Sequence, residues 1–517
     1  MALIRIVEDF HPENHAALLD RAKELMPVLH HRIVLPKRID SCSVLSCQDG
    51  ILPEELPHIS LGKGEELCLD FGAHYVGRIM LDLSHAGSHQ DAPAFLKLTF
   101  AETRAELEAD SEQYKGWISG SWVPEEYIHV DVLPARLVLP RRYALRYLKI
   151  SVIDTSPKYK VVVRHAECMT QTSADPGRLD DFSCRDAMLE RIYQVSLATL
   201  KDCMQEVFED GPKRDRRLWT GDFRLQALTN AVSFRNGDLV KRCLYLFAGS
   251  RFPDGRVSAC LFTEPEVAAD DTYLFDYALF FVITLEEYLE EYEDAQALEE
   301  LYDVAMEQID IALDRVDDDG CVTPETVADT FIDWNDEVDK SGCALAVLIY
   351  ALAYAVKLAD RKGDARKAGE LAGKAEYLKQ AALKHYWDEK AGCFLSNGQK
   401  SIATQVWMVL ADVPEPEAAA ELMGRAQEFA DDYPMQTPYM HHYYVMALLH
   451  AGRKEDAVAH IKAYWGSMIE AGADTFYEAW NPDDPGASPY GEGGSIVNSY
   501  CHAWSCTPAY IIRRFLT

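Results

Sequence analysis

The chain has 517 residues, 48% of them hydrophobic and 10% aromatic, and its 84 acidic side chains against 51 basic ones give a formal net charge of -33. That length predicts two or three domains around large cores, and the acidic balance argues against nucleic acid or an anionic membrane as a partner, leaving a small or neutral ligand. No segment reads as a long uncharged apolar run, and Met1 to Asp9 lacks the basic stretch and apolar core of a signal peptide. The default location is cytoplasmic. The 13 cysteines are odd in number and spread over the whole length, which reads as reduced core thiols. Neither Cys42 with Cys47 nor Cys501 with Cys506, around His502, has a second ligand pair at zinc-site spacing, so no metal is expected.

Residues 1–55 are mixed, with a helical stretch over Asn14–Leu29 and a Pro-punctuated loop, and form an N-terminal extension with no role legible in it. Residues 56–170 have a strand pattern. Leu67, Leu69 and Phe71 alternate with Glu66, Cys68 and Asp70; Leu96, Leu98 and Phe100 alternate with Lys97 and Thr99; Leu148, Ile150 and Val152 alternate with Lys149 and Ser151. Period two with one polar face predicts half-buried antiparallel strands. Short runs cut by Gly, Pro and Asp favour a β-sandwich of jelly-roll type.

From residue 171 to 517 the pattern is helical. Met188, Leu189, Ile192 and Val195 mark one face, and 295–314, 343–357, 366–386, 416–430 and 454–470 read likewise. Cys343–Val356 is apolar nearly all round, which requires burial on several sides. Some 340 residues of helix hairpins exceed a simple bundle. A closed double ring of helix pairs would bury inner helices fully and leave outer ones amphipathic.

Five acid-and-aromatic clusters interrupt these helices at expected loops. The densest is Asp210-Gly-Pro-Lys-Arg214-Asp215-Arg-Arg-Leu-Trp219-Thr-Gly-Asp222. The others are Asp270–Tyr273, Phe331–Asp336, Asp474–Asn481 and Tyr500–Ser505. Each has a plain structural explanation: a charge lattice of Asp210 and Asp222 with Arg214, Arg216 and Arg217, an N-cap at Asp333 with a core Trp334, a satisfied core histidine at His502. Their recurrence tips the balance toward a carbohydrate site, with indoles on sugar CH faces and carboxylates for hydroxyls and proton transfer. The adjacent His441 and His442 diverge on a helix and do not suit a metal.

The Asp210–Asp222 segment resembles the signature of the bacterial α-L-rhamnosidases of glycoside hydrolase family 78. Thr475-Phe-Tyr-Glu478 and His502-Ala-Trp-Ser505 with Pro508 and Tyr510 resemble that family's later motifs. Asp70-Phe71-Gly72, Ala101-Glu102 and Arg146-Tyr147 resemble segments of its β-sandwich. The resemblance covers residues 60–517 and implies an α+β multidomain chain, an antiparallel sandwich followed by an all-α (α/α)6 barrel, that releases terminal L-rhamnose with inversion and without a cofactor. Carried over by position, the general acid is Asp215 and the general base Glu478. Asp210, Arg214, Trp219, Asp222, Asp333 and His502 hold the ring, with Tyr273 and Trp334 as its wall. Many family members have Glu at the acid position; Asp215 is one methylene shorter, about 1 Å in reach. That departure keeps open a catalytically weak sugar-binding protein on this scaffold, and a barrel enzyme for another deoxy or acidic sugar is a further reading. The expected partner is a small glycoside or oligosaccharide containing L-rhamnose; a homo-oligomer stays open.

Overall fold

The computed structural model describes residues 10–44 and 53–516; Cys47 and the first nine residues lie outside them. Eight longer strands are β1 (His30–Val34), β2 (Arg38–Cys42), β3 (Glu66–Gly87), β4 (Ala94–Ala101), β5 (Glu125–Val130), β6 (Ala135–Val138), β7 (Tyr143–Asp154) and β8 (Tyr159–Thr172). They pair antiparallel along the path β1–β8–β3–β7–β4–β5, and β2 and β6 also pair with β3. The register of β3 against β7 shifts between Asp70 and Tyr75, an irregularity that bends a long strand. Leu67 and Leu69 from its first half and Ile79, Leu81 and Leu83 from its second share one core with Leu96, Leu98, Leu148, Ile150, Val161 and Val163.

Two features depart from the expected pattern. Residues 10–44 do not stand apart: β1 and β2 join the sheet, while α1 (Ala16–Glu24) packs on the helix Gly237–Gly249 of the helical half. This helix ends well short of Leu29 because Pro27 disfavours helical geometry at Met26. The second departure is at Cys68 and Asp70, expected on a polar face but buried. Asp70 accepts hydrogen bonds from Arg38 and Arg146, and Arg146 also reaches Asp474 of the helical half at 3.3 Å, so this face is an internal contact.

The helical half contains α2 (Ala187–Cys203), α3 (Thr220–Ala231), α4 (Gly237–Gly249), α5 (Phe275–Tyr292), α6 (Ala295–Leu313), α7 (Ser341–Lys362) and α8 (Ala365–Tyr386). It continues with α9 (Ile402–Leu410), α10 (Pro416–Gly424), α11 (Ala426–Asp432), α12 (Pro438–His450), α13 (Lys454–Glu470) and α14 (Pro508–Ile511). The expected helix over 416–430 is two pieces, broken after Gly424, a residue costly inside a helix. Contacts run α3–α5–α7–α9–α12 and on to residues 503–511, which return to α3. The ring is therefore closed, with α2, α4, α6, α8, α10–α11 and α13 outside it.

The burial follows from this closure. Every residue of α9 is buried, whereas α8 is buried on one stripe. By length and apolarity alone α7 could cross a membrane, unlike the expectation of no such run, but most of it is enclosed as an inner helix. Three of the acid-and-aromatic clusters enter the N-terminal ends of inner helices: 210–222 enters α3, 270–273 precedes α5 and 331–336 precedes α7. These N-termini carry partial positive charge and unpaired N–H groups. Asp222 lies in the first turn of α3, and Asp276 in that of α5 accepts the N–H groups of Phe331 and Ile332.

Candidate active site

A cavity of about 300 Å³ opens at this rim. Its walls include Asp210, Arg214, Asp215, Trp219, Asp222, Trp334, Glu478 and His502, eight of the ten residues read from the sequence. The other two, Asp333 and Tyr273, line an adjoining cavity of about 540 Å³. Asp333 does not face the first cavity because its carboxylate is taken by the Thr437 hydroxyl and the N–H groups of Gln436 and Trp334. Tyr273 lies beneath the guanidiniums of Arg256 and Arg315.

The 210–217 segment is a tight turn wound around the Asp210 carboxylate. One oxygen accepts the Asp215 N–H at 2.9 Å and the other the Arg217 N–H at 3.1 Å. Gly211 is required by close approach: a Cβ there would lie 2.5 Å from both the Arg214 carbonyl and Ser499 Oγ. Arg216, at φ 64°, turns out of the site and donates to the carbonyls of Pro212, Lys213 and Arg142. The sequence-level charge lattice is thus resolved, with Arg214 facing the acids and Arg216 facing the sheet.

Glu478 is buried at 3% exposure. Its carboxylate is gripped by Arg214 Nη2 and the Tyr490 hydroxyl and accepts the Ser499 N–H at 3.3 Å. Burial alone would raise this carboxyl, but Arg214, His502, Tyr490 and Ser499 outweigh it and hold it below the usual carboxylate range. Arg214 Nη1 lies 3.5 Å from Asp215 Oδ1, so one guanidinium spans both carboxylates. Asp215 is the more open of the two, with its side chain 23% exposed.

Asp210 is pushed up to about 7 by burial and by the neighbouring Asp215 charge. His502 Nε2 lies 3.0 Å from Asp222 Oδ1. Burial works against a charged imidazole, yet Asp222, Glu478 and Asp210 push His502 up to about 9. Burial also raises Asp222. The imidazolium–carboxylate form prevails at neutral pH, because His502 faces three carboxyls and Asp222 sits at a helix N-terminus. His502 Nδ1 is buried without a protein partner, a donor that a ligand hydroxyl would satisfy.

The sheet half supplies walls that the sequence did not flag: Trp117, Ile118, Ser119 and Trp122 all line the cavity. Tyr490 was missed too, although Gly491-Glu-Gly-Gly-Ser495 beside it marks a loop. Among the described residues one cluster has metal-ligand geometry, with atoms of His74, Asp202 and Cys501 within 4.8 Å of one another. Both nitrogens of His74 are already committed to carboxylates, Nδ1 to Asp202 at 2.7 Å and Nε2 to Glu102 at 3.0 Å. The twelve described cysteines are free thiols.

Comparison with known proteins bears on this site. Residues 40–170 match the glycosyl hydrolase family 78 alpha-rhamnosidase N-terminal domain, and residues 178–515 match the bacterial alpha-L-rhamnosidase 6 hairpin glycosidase domain. The chain is similar to a rhamnosidase from Klebsiella oxytoca solved with rhamnose bound, at 42% identity and TM-score 0.93, covering 98% of this chain and 100% of that one. A family 78 rhamnosidase of Bacillus sp. GL1 shares the fold at 23% identity and TM-score 0.73, over 87% of this chain and 46% of that longer one. The Streptomyces avermitilis α-L-rhamnosidase shares it at 15% identity and TM-score 0.68, over 94% and 44%. No curated protein matched the chain.

Proposed function

The chain belongs to the bacterial α-L-rhamnosidases of glycoside hydrolase family 78, and from that premise we propose that it releases terminal L-rhamnose by exo-acting, inverting hydrolysis, with Asp215 as general acid and Glu478 as general base. The observation that carries this reading is the Arg214 guanidinium spanning the two carboxyls. Inversion needs a gap of about 6.5–9.5 Å between them, wide enough for a water, and an intervening guanidinium spaces them in that sense. A Glu478 held below the usual carboxylate range suits the carboxylate that takes a proton from water. That water attacks the anomeric carbon on one face while Asp215 delivers a proton to the departing glycosidic oxygen on the other. The C–O bond breaks, and the sugar leaves with inverted configuration.

Asp215 is favoured as donor because its carboxyl is open to the cavity. Both oxygens of Asp210 are held by backbone N–H groups, and Asp222 is held by His502. One observation favours a second reading: Asp210, at about 7, carries its proton into the neutral range, where a general acid works best. Exo action is supported by the cavity size, about 300 Å³ walled by indoles and acids, suited to one sugar ring. His502 Nδ1–H and Asp222 then hold its hydroxyls.

The test is hydrolysis of an aryl α-L-rhamnoside followed by NMR of the first-formed sugar. Release of the opposite anomer is expected. A retained anomer would overturn the water mechanism, and binding of rhamnose with no turnover would overturn the hydrolase reading.

A further inference from the structure

The larger cavity contains neither Asp215 nor Glu478 in its lining, yet it shares Trp117 and Trp334 with the cavity that does. Resting on the hydrolase reading above, we propose that this second cavity receives the leaving group of the substrate, that the group is ring-bearing, and that Trp117 is its specificity-determining residue.

Trp117 is presented by the sheet half on the segment between β4 and β5. That segment is fastened to the helical half: Lys115 N–H donates to Glu492 O at 3.1 Å, Trp117 N–H to Tyr490 O at 3.3 Å and Trp117 Nε1 to Pro489 O at 2.8 Å. The fit at Gly116 admits no side chain, since a Cβ would lie 2.0 Å from the Tyr490 carbonyl oxygen. Tyr490 in turn holds Glu478 through its hydroxyl. The indole is therefore fixed relative to the general base by a short chain of contacts.

Trp117 stands 6.2 Å from Trp334, ring centre to ring centre. Phe252 and Tyr273 line this cavity and not the smaller one, with Arg256 lying 4.7 and 4.5 Å over their rings. The Trp334 Nε1–H is buried without a protein partner. Flat aromatic walls with a waiting donor suit a ring that offers a CH or π face and a polar substituent. A pyranose and an arene share that chemistry, and a volume of about 540 Å³ admits either.

The test measures kcat/KM for p-nitrophenyl α-L-rhamnoside, an α-L-rhamnosyl-glucose disaccharide and methyl α-L-rhamnoside, in wild type, Trp117→Ala, Trp117→Phe and Phe252→Ala. The expected result is a fall of roughly tenfold in the ring-to-methyl ratio for Trp117→Ala, a smaller fall for Phe252→Ala, and recovery in Trp117→Phe. A fall confined to the aryl or to the disaccharide substrate supports the proposal and names the ring. Ratios unchanged in both alanine variants overturn it, even if absolute rates drop. Failure of the wild type on all three substrates would instead overturn the hydrolase reading beneath it.

Discussion

Arg214 and Glu478 form a buried ion pair at the wall of the smaller cavity, and the Arg214 guanidinium also lies 4.2 Å over the Tyr490 ring. Two charges taken from water are tolerated only while both partners are present. Arg214→Met is therefore expected to destabilise the fold by about 3–5 kcal/mol. It also strands Glu478 in a buried site, which raises its carboxyl. The acid limb of kcat/KM should move to higher pH, with activity partly returning as the pH is raised. Glu478→Gln should lower kcat by about 10²–10⁴-fold at every pH. An acid limb unmoved in Arg214→Met would show that this pair does not set the state of the proposed base.

Leaving-group dependence identifies the proton donor. Asp215→Asn is expected to lower kcat/KM by about 10²–10⁴-fold for methyl or sugar leaving groups. A dinitrophenyl rhamnoside, whose departure needs no proton, should be nearly spared. The same signature in Asp210→Asn, with Asp215→Asn affecting all substrates alike, would move the donor to Asp210.

His502 is expected to govern the alkaline side of the pH profile. Its pKa is pushed from 6.5 up to about 9, so its contribution to stability is complete below 6.5 and is lost as the pH rises through 9. The rate should fall over the same range as the imidazolium and its Nδ1–H acid character are lost. In His502→Gln the limb near 9 should disappear, and KM should rise because the proposed donor to the sugar is gone. A limb near 9 that persists in this variant would mean another group controls it.

These residues were differently legible in the sequence. Asp210, Arg214, Asp215, Trp219 and Asp222 lie within one turn-rich segment, so proximity in sequence carried their proximity in space. Glu478 and His502 lie in clusters whose acids and indoles stand out against alanine- and leucine-rich helices, but their individual roles came only with the resemblance to family 78; composition alone left His502 a core histidine. Asp333 has the same signature, but its carboxylate organises the start of α12, which only the fold reveals. Trp117 carried no signal: it lies far from the other clusters and reaches the site only because the sheet half docks on the ring. The same docking explains the motif-like residues of that half. Glu102 and Arg146 fasten the halves together and Asp70 holds Arg146 from within the sheet half, where the alternation pattern marks only strands.

The last prediction concerns that fastening. His74 on β3 is buried, donating to Asp202 of α2 and to Glu102 after β4 at 2.7 and 3.0 Å. Glu102 also accepts the Tyr500 N–H at 2.7 Å, and its neighbour Ser499 donates to Glu478. Burial opposes a charged His74, but Cys501, Asp202 and Glu102 face it and raise it well above its ordinary value. Both ring nitrogens then donate, as their two carboxylate partners require. Removing this cation in His74→Gln leaves two buried carboxylates short of a donor, at a cost of about 3–5 kcal/mol. Since the folded pKa is raised, the stabilisation is complete below pH 6.5 and declines as the pH rises through the folded value. Chemical denaturation of wild type and variant across pH should show a gap that is constant in acid and narrows in alkali. A gap that is constant above pH 6.5 and narrows in acid would mean a neutral His74. In the folded variant kcat should fall more than KM rises, because the Ser499–Tyr500 strap contacts the proposed base Glu478 and does not line the cavity proposed for the sugar.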